Sequence, residues 1–211
     1  MSVSALLEQG LAALAIDMPP SLSARLQEYL QLLEKWNRVH NLTAVRAPEE
    51  QVRLHLLDCL ALVPLLNASA LRIADIGSGA GFPGLMWAMA RPQWSLYLVE
   101  SNHKKTAFLR ETVRCLALEN VQVIAKRAEQ WQPEQAMDWI VSRAMADIDG
   151  FVRVSAHLGH ADSTWGLMKA HDNEQCSIAG FVKSTVQQVH VPLLDAPRLW
   201  VCVRREAVDG N

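Results

Sequence analysis

The feature that most constrains this chain is a glycine-rich segment that directly follows an apolar, strand-like run. Residues 75–84 read Asp-Ile-Gly-Ser-Gly-Ala-Gly-Phe-Pro-Gly, and the run before them is Leu71–Ala74. Glycine lets a turn adopt positive φ and lets the backbone approach a ligand closely. A helix that starts after such a turn offers unpaired N–H groups at its N-terminus. The segment therefore predicts a strand–turn–helix unit that holds a nucleotide-like ligand.

Two phosphate-binding readings of this turn are weakened by its flanking residues. A P-loop requires Lys and then Ser or Thr after its last glycine, but Leu85 and Met86 follow Gly84. A dinucleotide site requires G-x-G-x-x-G, and Gly79, Gly81 and Gly84 satisfy that spacing. However, a helical leader precedes the turn, and the glycines begin earlier than the dinucleotide motif requires. The dinucleotide reading therefore stays open, but it is not favoured.

S-adenosylmethionine (SAM) is the third candidate ligand. Its sites place an acidic residue and three alternating glycines at the end of the first strand, and Asp75, Gly77, Gly79 and Gly81 match this pattern. Because SAM has no pyrophosphate, the turn has to pack beside an amino-acid tail and a ribose. Glu100 ends the second predicted strand, where its carboxylate can accept hydrogen bonds from both ribose hydroxyls. That carboxylate supports an adenosine ligand without separating NAD from SAM.

The remainder of the chain predicts an α/β fold with a helical leader. Helices are expected over Ala5–Ile16, over Leu22–Trp36 and from Pro48 onward, with Asn37–Arg46 as a loop. After Leu71 the pattern alternates between strands and helices. The predicted strands are Leu71–Ile76, Ser95–Glu100, Val121–Ala125, Trp139–Ser142, Thr164–Lys169, Val186–Val191 and Leu199–Val203. The predicted helices are Phe82–Ala90, Lys104–Leu116, Asp147–His157 and Asn173–Lys183.

This alternation is typical of a doubly wound, mostly parallel seven-stranded sheet with helices on both faces. The last two strands lack an intervening helix, which predicts an antiparallel C-terminal hairpin at the sheet edge. We expect residues 1–66 to form an N-terminal helical extension packed on the core, and residues 67–211 to form the ligand-binding domain. A length of 211 residues is consistent with one compact unit.

Composition argues against several classes of protein. The formal net charge of −2 gives no global field for nucleic acid, although a local basic patch can still bind it. Four scattered cysteines form no C-x-x-C pair, so we expect no metal site and a reduced, cytoplasmic chain. Neither a signal-peptide pattern nor an apolar run of ~18 residues is present, so we expect no membrane span.

Several segments accompany the glycine turn in a fixed order. They are Trp36-Asn37, Asn41-Leu42-Thr43, His55-Leu56-Leu57-Asp58, Glu100-Ser101, Lys104-Lys105, Phe108-Leu109, Arg127-Ala128-Glu129 and Ser142-Arg143-Ala144. Together with Asp75–Leu85 they resemble the RsmG family, also called glucose-inhibited division protein B. The resemblance runs from about residue 30 to the C-terminal hairpin. The turn alone is moderately specific for this family, and the turn with the upstream N-L-T and H-x-x-D segments is strongly specific.

The resemblance implies a bacterial, cytoplasmic class I methyltransferase with a Rossmann-like fold and SAM as its cofactor. Its implied substrate is 16S rRNA of the small (30S) ribosomal subunit, methylated at N7 of guanine 527. Carried onto this sequence, the family's cofactor contacts fall on Gly77, Phe82, Ala128, Glu129 and Arg143. No membrane association and no obligate protein partner are expected.

The chemistry of guanine N7 explains why no catalytic residue is identified. N7 has an in-plane lone pair and no proton, so it can attack the methyl group without a general base. Catalysis is then expected to be in-line positioning. The fifth strand ends Leu-Met-Lys-Ala, where the family usually has Leu-Lys-Gly, so no role is assigned to Lys169.

Substrate contacts are predicted from position and charge. His55 and Asp58 are three residues apart on one helix face and are expected to orient each other, while Asn41 and Arg127 are further candidates. Basic residues that suggest a path for RNA are Lys35, Arg38, Arg46, Arg53, Lys104, Lys105, Arg110, Arg114, Lys126 and Arg127. Two alternatives remain, a SAM-dependent methyltransferase acting on another RNA or a small molecule, and a non-catalytic nucleotide-binding regulatory protein.

Overall fold

A seven-stranded sheet forms the centre of the computed structural model, which describes residues 1–66, 68–143, 145, 147–172 and 174–207. The strand order is β3-β2-β1-β4-β5-β7-β6. Strands β1 to β5 run parallel, and β7 is antiparallel to both β5 and β6. The strands are β1 Arg72–Ile76, β2 Ser95–Val99, β3 Val121–Ile124, β4 Met137–Ser142, β5 Gly159–Lys169, β6 Phe181–Gln188 and β7 Leu199–Arg205. The doubly wound sheet and its antiparallel C-terminal hairpin confirm the predicted fold class.

Seven α-helices flank the sheet within the described part of the chain. They are α1 Val3–Leu14, α2 Leu22–His40, α3 Pro48–Gln51, α4 Asp58–Leu60, α5 Gly84–Ala90, α6 His103–Cys115 and α7 Ile148–Ser155. A π-helical turn, Val52–Leu57, joins α3 to α4. π-helical turns are uncommon and recur at functional sites, and this one contains His55. None of the described helices is both long and apolar enough to cross a membrane.

One hydrophobic cluster joins the N-terminal helices to a face of the sheet. It includes Leu6 of α1, Leu33 of α2, Trp87 of α5 and Leu98 of β2, all with 2 % exposure or less. A second cluster covers the other face and contains Phe151 of α7. Burying both faces of a parallel sheet is the usual source of its stability. The domain boundary predicted between residues 66 and 67 falls beside Asn67, which lies outside the described residues, as do Ala144 and Asn173.

The predicted helix Asn173–Lys183 is wrong. Residues 174–180 form irregular backbone and turns, and β6 already begins at Phe181. Gly180 has φ of 77°, which ends any helical path there. The Glu174 carboxylate accepts a hydrogen bond from the Ile148 N–H, and the Ser177 N–H donates to Asp149. These tertiary contacts outweigh the local helix propensity of the segment.

The predicted loop Asn37–Arg46 starts later than expected, because α2 continues to His40. Asn41 ends the helix with φ of 49°, and its N–H donates to the Asn37 carbonyl oxygen. Asparagine is among the few residues other than glycine that commonly adopt this conformation. Beyond this helix end, the Thr43 hydroxyl lies 2.9 Å from Nε2 of His55, whose ring packs against Phe82 of the glycine turn.

Candidate functional site

The glycine turn lies at the carboxyl end of β1, where the strand order reverses. Strands β2 and β3 extend to one side of β1, and β4 and β5 to the other. This topological switch point is where open α/β sheets bind ligands. Gly77, Gly79 and Gly81 have φ of 70°, 59° and 94°. The Gly77 N–H donates to the Val99 carbonyl oxygen at 2.8 Å, which ties the turn to the end of β2.

The glycines of this segment are required for different structural reasons. A Cβ built on Gly79 would meet only the Gly77 carbonyl oxygen, at 3.8 Å, so the backbone there faces open space. A Cβ on Gly81 would lie 2.2 Å from Leu85, and one on Gly84 would lie 2.3 Å from Leu98. Gly81 and Gly84 are therefore needed for packing against the core. Gly79 leaves an open face for a ligand.

Asp75 lies behind the turn and is completely buried. Its Oδ2 accepts a hydrogen bond from the Gly84 N–H at 3.0 Å, which fixes the start of α5. Its Oδ1 is buried and has no hydrogen-bond partner among the described residues. Burial raises the pKa of Asp75 to about 8, an effect that the Gly84 hydrogen bond and the charge of Arg143 oppose. The predicted cofactor contact of Asp75 thus remains a prediction, while its contact with Gly84 is observed.

Glu100 forms the side wall of the turn. Its Oε2 accepts from the Gly79 N–H at 3.0 Å, and its Oε1 accepts from the Asn102 N–H at 2.8 Å. The residue is only 8 % exposed. Each carboxylate oxygen can accept a second hydrogen bond, so this arrangement keeps acceptor capacity for ribose hydroxyls. The carboxylate is thereby held next to the open face at Gly79.

Phe82 packs its ring at the junction between the turn and the N-terminal extension. The ring is 6 % exposed. Its centroid lies 5.7 Å from that of Tyr29 and 4.5 Å from that of His55, and the Arg143 guanidinium carbon lies 5.0 Å from it. Because these neighbours surround the ring, we expect any cofactor contact of Phe82 to come mainly from its backbone.

Arg143 immediately follows β4 and connects the sheet to the N-terminal extension. Its Nη1 donates to the Leu54 carbonyl oxygen at 3.1 Å, and its Nη2 donates to His55 Nδ1 at 2.8 Å. The same Nη1 lies 3.6 Å from Oδ2 of Asp58. Together with the face of Phe82, these contacts orient the guanidinium at the open end of the sheet. His55 and Asp58 therefore do not simply orient each other as predicted, since Arg143 contacts both of them.

Both ring nitrogens of His55 have polar neighbours. Nδ1 lies 2.8 Å from Nη2 of Arg143 and 2.8 Å from the Leu54 carbonyl oxygen. Nε2 lies 2.9 Å from the Thr43 hydroxyl. Burial, and then the charge of Arg143, lower the pKa of His55 to about 4, so the ring is neutral at physiological pH. The side chain of Asn37 in turn donates to the Thr43 carbonyl oxygen at 3.1 Å and accepts from its N–H at 3.0 Å.

Asp58 is 5 % exposed and interacts with two arginines. Besides its contact with Arg143, its Oδ1 accepts from Nε of Arg198 at 2.8 Å. Burial raises the pKa of Asp58, while the charges of Arg198 and Arg143 act in the opposite direction. Arg198 precedes β7 and is 140 positions from Asp58 along the chain. It belongs to no motif, so sequence reasoning missed it, and no local signal distinguishes it.

The remaining predicted site residues lie around the rim of this region. Ala128, 6 % exposed, begins a short 3₁₀ turn after β3, and Arg127 and Glu129 on either side are exposed. Asn41 is exposed, and its Oδ1 accepts from Nη2 of Arg46 at 2.7 Å. The structure thus places Ala128 and Glu129 after β3, on the Glu100 side of the turn, and Asn41 on the extension.

Part of the predicted basic surface is engaged in ion pairs. Arg38 contacts Glu34 at 2.6 Å, and Arg114 contacts Glu111 at 2.9 Å. Exposed pairs of this kind contribute little stability. Lys169, to which no role was assigned, ends β5 with Nζ 2.5 Å from Oε1 of Glu174. No group of three or more His, Cys, Asp or Glu that could hold a metal ion occurs among the described residues.

The geometry fits SAM better than a ligand that carries a pyrophosphate. The open backbone at Gly79 admits a ligand, and the Glu100 carboxylate beside it can accept hydrogen bonds from a ribose. A second carboxylate oxygen, Asp75 Oδ1, is buried without a partner. A pyrophosphate would place negative charge beside the Glu100 carboxylate, whereas the ammonium and sulfonium groups of SAM are cationic.

Comparison with known proteins identifies the relatives of this chain. The profile of the family described as GidB: rRNA small subunit methyltransferase G matches residues 22–200. Ribosomal RNA small subunit methyltransferase G of Dichelobacter nodosus is 52 % identical over 202 residues, covering 96 % of this chain and 95 % of the relative. The protein of the same name from Chromobacterium violaceum is 47 % identical, with coverage of 91 % and 93 %.

Among solved structures, a SAM-dependent methyltransferase from Aquifex aeolicus has the same fold. The TM-score is 0.55 and the identity is 17 %, and the match covers 73 % of this chain and 93 % of the other. At this identity the likeness concerns the fold alone.

Proposed function

The chain belongs to the rRNA small subunit methyltransferase G family, and on this premise we propose that it methylates N7 of guanine 527 in 16S rRNA. Family membership supports SAM-dependent methylation of small-subunit rRNA as the general activity. The specific base and atom are the finer part of the proposal. The observation that carries the methyltransferase part of the proposal is the glycine turn. Its open face at Gly79 lies beside the Glu100 carboxylate at a topological switch point.

Three groups on the chain are proposed to hold the cofactor. The Glu100 carboxylate, already oriented by the N–H groups of Gly79 and Asn102, accepts hydrogen bonds from the ribose hydroxyls. The backbone of Ala128 and Glu129 contacts the adenine edge. The backbone of the turn at Gly77 and Gly79, which faces open space at Gly79, lies along the amino-acid tail.

Arg143 is proposed to complete the cofactor site from the side of β4. Its guanidinium is held by Leu54, His55 and the ring of Phe82, and its side chain retains 25 % exposure. A cation at this position can bind the cofactor carboxylate or a phosphate of the RNA. Its fixed orientation reduces the entropy lost when the ligand binds.

Catalysis by this chain is proposed to rest on positioning. Bound SAM supplies an electrophilic methyl group on a positively charged sulfur. Guanine N7 has an available lone pair and no proton to remove, so no side chain has to act as a general base. The neutral state of His55, which holds Arg143, is consistent with a structural part in the site. Holding N7, the methyl carbon and the sulfur in line is then the main contribution of the protein.

The RNA is proposed to approach across the N-terminal extension and α6. Exposed basic side chains on these elements include Lys35, Arg46, Lys104 and Arg110. Contacts to phosphate require only a local basic stripe, so the net charge of −2 is compatible with RNA binding. The proposed location is the cytoplasm, where the ribosomal subunits are.

A methyl-transfer assay tests the substrate. Tritiated-methyl SAM is incubated with 30S particles from a strain that lacks this enzyme, and the modified base is mapped in the extracted 16S rRNA. We expect one methyl group at N7 of guanine 527, and no incorporation into 30S particles from the wild-type strain. Absence of label from guanine N7 in the deficient particles would reject the rRNA assignment.

A binding experiment separates the enzyme from the alternative of a non-catalytic nucleotide sensor. Calorimetric titration with SAM and with NAD is expected to show binding of SAM alone. Binding of NAD without binding of SAM would contradict the methyltransferase reading. Transfer of the label to a small molecule or to another RNA, but not to the 30S subunit, would favour the other alternative substrates.

A further inference from the structure

We propose that Arg198 is a positioning residue for the cofactor site and acts on Arg143 through the carboxylate of Asp58. This inference rests on the proposed function, in which Arg143 contacts the bound cofactor. Arg198 belongs to the C-terminal hairpin and stands immediately before Leu199, where β7 begins. The hairpin at the edge of the sheet would thereby influence the cofactor site at the end of β1.

The Asp58 carboxylate is shared by two guanidinium groups. Oδ1 accepts from Nε of Arg198 at 2.8 Å, whereas Oδ2 lies 3.6 Å from Nη1 of Arg143. The Asp58 side chain is 6 % exposed, and those of Arg198 and Arg143 are 21 % and 25 % exposed. Oδ1 of Asp58 therefore has a hydrogen-bond donor in Arg198. Arg143 remains at a distance longer than a hydrogen bond.

Because Asp58 is closer to Arg198 than to Arg143, Arg143 keeps its other contacts. Its Nη1 donates to the Leu54 carbonyl oxygen, its Nη2 donates to His55, and its guanidinium carbon lies over the ring of Phe82. Without Arg198, the buried carboxylate of Asp58 would retain Arg143 as its closest cation. The attraction between such a pair is strong at low effective dielectric. Arg143 would then move toward Asp58 and lose the orientation set by His55 and Leu54.

Arg198 is itself held firmly enough to have this effect. Its carbonyl oxygen accepts from the Val189 N–H at 2.8 Å, which joins the two ends of the connection between β6 and β7. Its Nη1 donates to the Pro197 carbonyl oxygen at 2.9 Å. The side chain therefore reaches Asp58 from a position that the hairpin fixes.

The test uses the full chain and measures SAM affinity by calorimetry for Arg198→Ala, Asp58→Asn and the double variant. We expect Arg198→Ala to weaken SAM binding ~5-fold or more, as is typical for coupled neighbouring residues. Asp58→Asn removes the charge that draws Arg143 away, so it is expected to have a smaller effect. The double variant should bind SAM like Asp58→Asn and better than Arg198→Ala. A merely structural role predicts instead that the double variant is the weakest binder, and that result would overturn the proposal.

Two further variants keep the result interpretable. Arg198→Lys retains a cation near Asp58 and is expected to recover at least half of the affinity that Arg198→Ala loses. If Arg198→Ala is too unstable to titrate, Arg198→Lys is compared with the native protein instead, and weakening of SAM binding by more than ~5-fold would count against the inference. Arg204→Ala removes another arginine of the hairpin, whose Nε donates to Thr164 at 3.1 Å, and should leave SAM affinity unchanged. Equal weakening by Arg204→Ala, or no recovery with Arg198→Lys, would count against the inference.

Arg143→Ala separates this inference from the proposed function. If it weakens SAM binding while Arg198→Ala does not, the placement of the cofactor stands and the role of Arg198 is rejected. If Arg143→Ala has no effect on SAM affinity, both the proposed contact of Arg143 and the positioning role of Arg198 are rejected.

Discussion

The hydroxyl of Tyr29 donates a hydrogen bond to the Ala80 carbonyl oxygen at 2.7 Å, across 51 positions of sequence. This bond links α2 of the N-terminal extension directly to the glycine turn. Tyr29 is fully buried, and burial raises its pKa well above the usual value, so the hydroxyl stays protonated and remains a donor. The extension is thus part of the support of the turn.

Replacing Tyr29 with phenylalanine tests this support. The ring contacts with Phe82 and Phe108, at 5.7 and 6.1 Å between centroids, would remain, while Ala80 loses its donor. We expect a loss of ~1–3 kcal/mol in the free energy of unfolding, measured in urea, together with weaker SAM binding. Tyr97→Phe is the control, because the Tyr97 ring packs against Trp131 in the second hydrophobic cluster, with 5.6 Å between the ring centroids. Equal effects of the two changes would contradict a specific role of the Tyr29 hydroxyl.

Substitutions at Gly79 and Gly81 should separate binding from folding. A valine at Gly79 has space for its Cβ, so the expected stability loss comes mainly from the positive φ and is ~1–2 kcal/mol. The same side chain would occupy the proposed ligand space and abolish SAM binding. A valine at Gly81 would collide with Leu85 and prevent stable folding. Circular dichroism and SAM titration check both variants; a Gly79→Val protein that binds SAM normally would place the ligand elsewhere.

Local patterns predicted the strand–turn–helix unit and the C-terminal hairpin because each depends on residues close in sequence. The contacts that complete the site could not be predicted in this way. Arg198 with Asp58 joins segments that are distant in sequence and share no periodicity or motif. The wrong helix at 173–183 has the same cause, since Glu174 bonds to Ile148 and Gly180 has positive φ.

The buried carboxyl group of Asp75 predicts a pH dependence of stability. Burial raises its folded-state pKa to about 8 from the reference of 3.8, so the fold favours the protonated form. Its contribution is fully present below pH ~4 and is lost as the pH rises to about 8. Asp75→Asn removes this titration and retains an acceptor for the Gly84 N–H.

The free energy of unfolding of Asp75→Asn and the unchanged protein is therefore compared at pH 5 and pH 8. We expect the difference to shift by ~1.4 kcal/mol or more in favour of Asp75→Asn at the higher pH, since one pKa unit corresponds to ~1.4 kcal/mol. Parallel stability profiles for the two proteins would show that the carboxyl group of Asp75 is not strongly perturbed.

The lowered pKa of His55 predicts a pH dependence of stability that is opposite to the one predicted from Asp75. Its pKa is lowered from 6.5 in the reference state to about 4 in the fold, so its contribution is present above pH 6.5 and is lost as the pH falls toward 4. Protonation would place a positive charge on the ring, whose Nδ1 lies 2.8 Å from Nη2 of Arg143, and the two cations would repel each other. We therefore expect SAM affinity to fall together with stability below pH 6.

His55→Asn tests this prediction because its Oδ1 can still accept from Arg143 while the titrating ring is gone. Between pH 7.5 and pH 5 the native protein should lose ~1–2 kcal/mol of unfolding free energy relative to His55→Asn. His103→Asn, at the exposed start of α6, is the matched control and should follow the native profile. If His55→Asn also follows that profile, the acid sensitivity arises elsewhere, and the neutral imidazole is not what holds Arg143 in position.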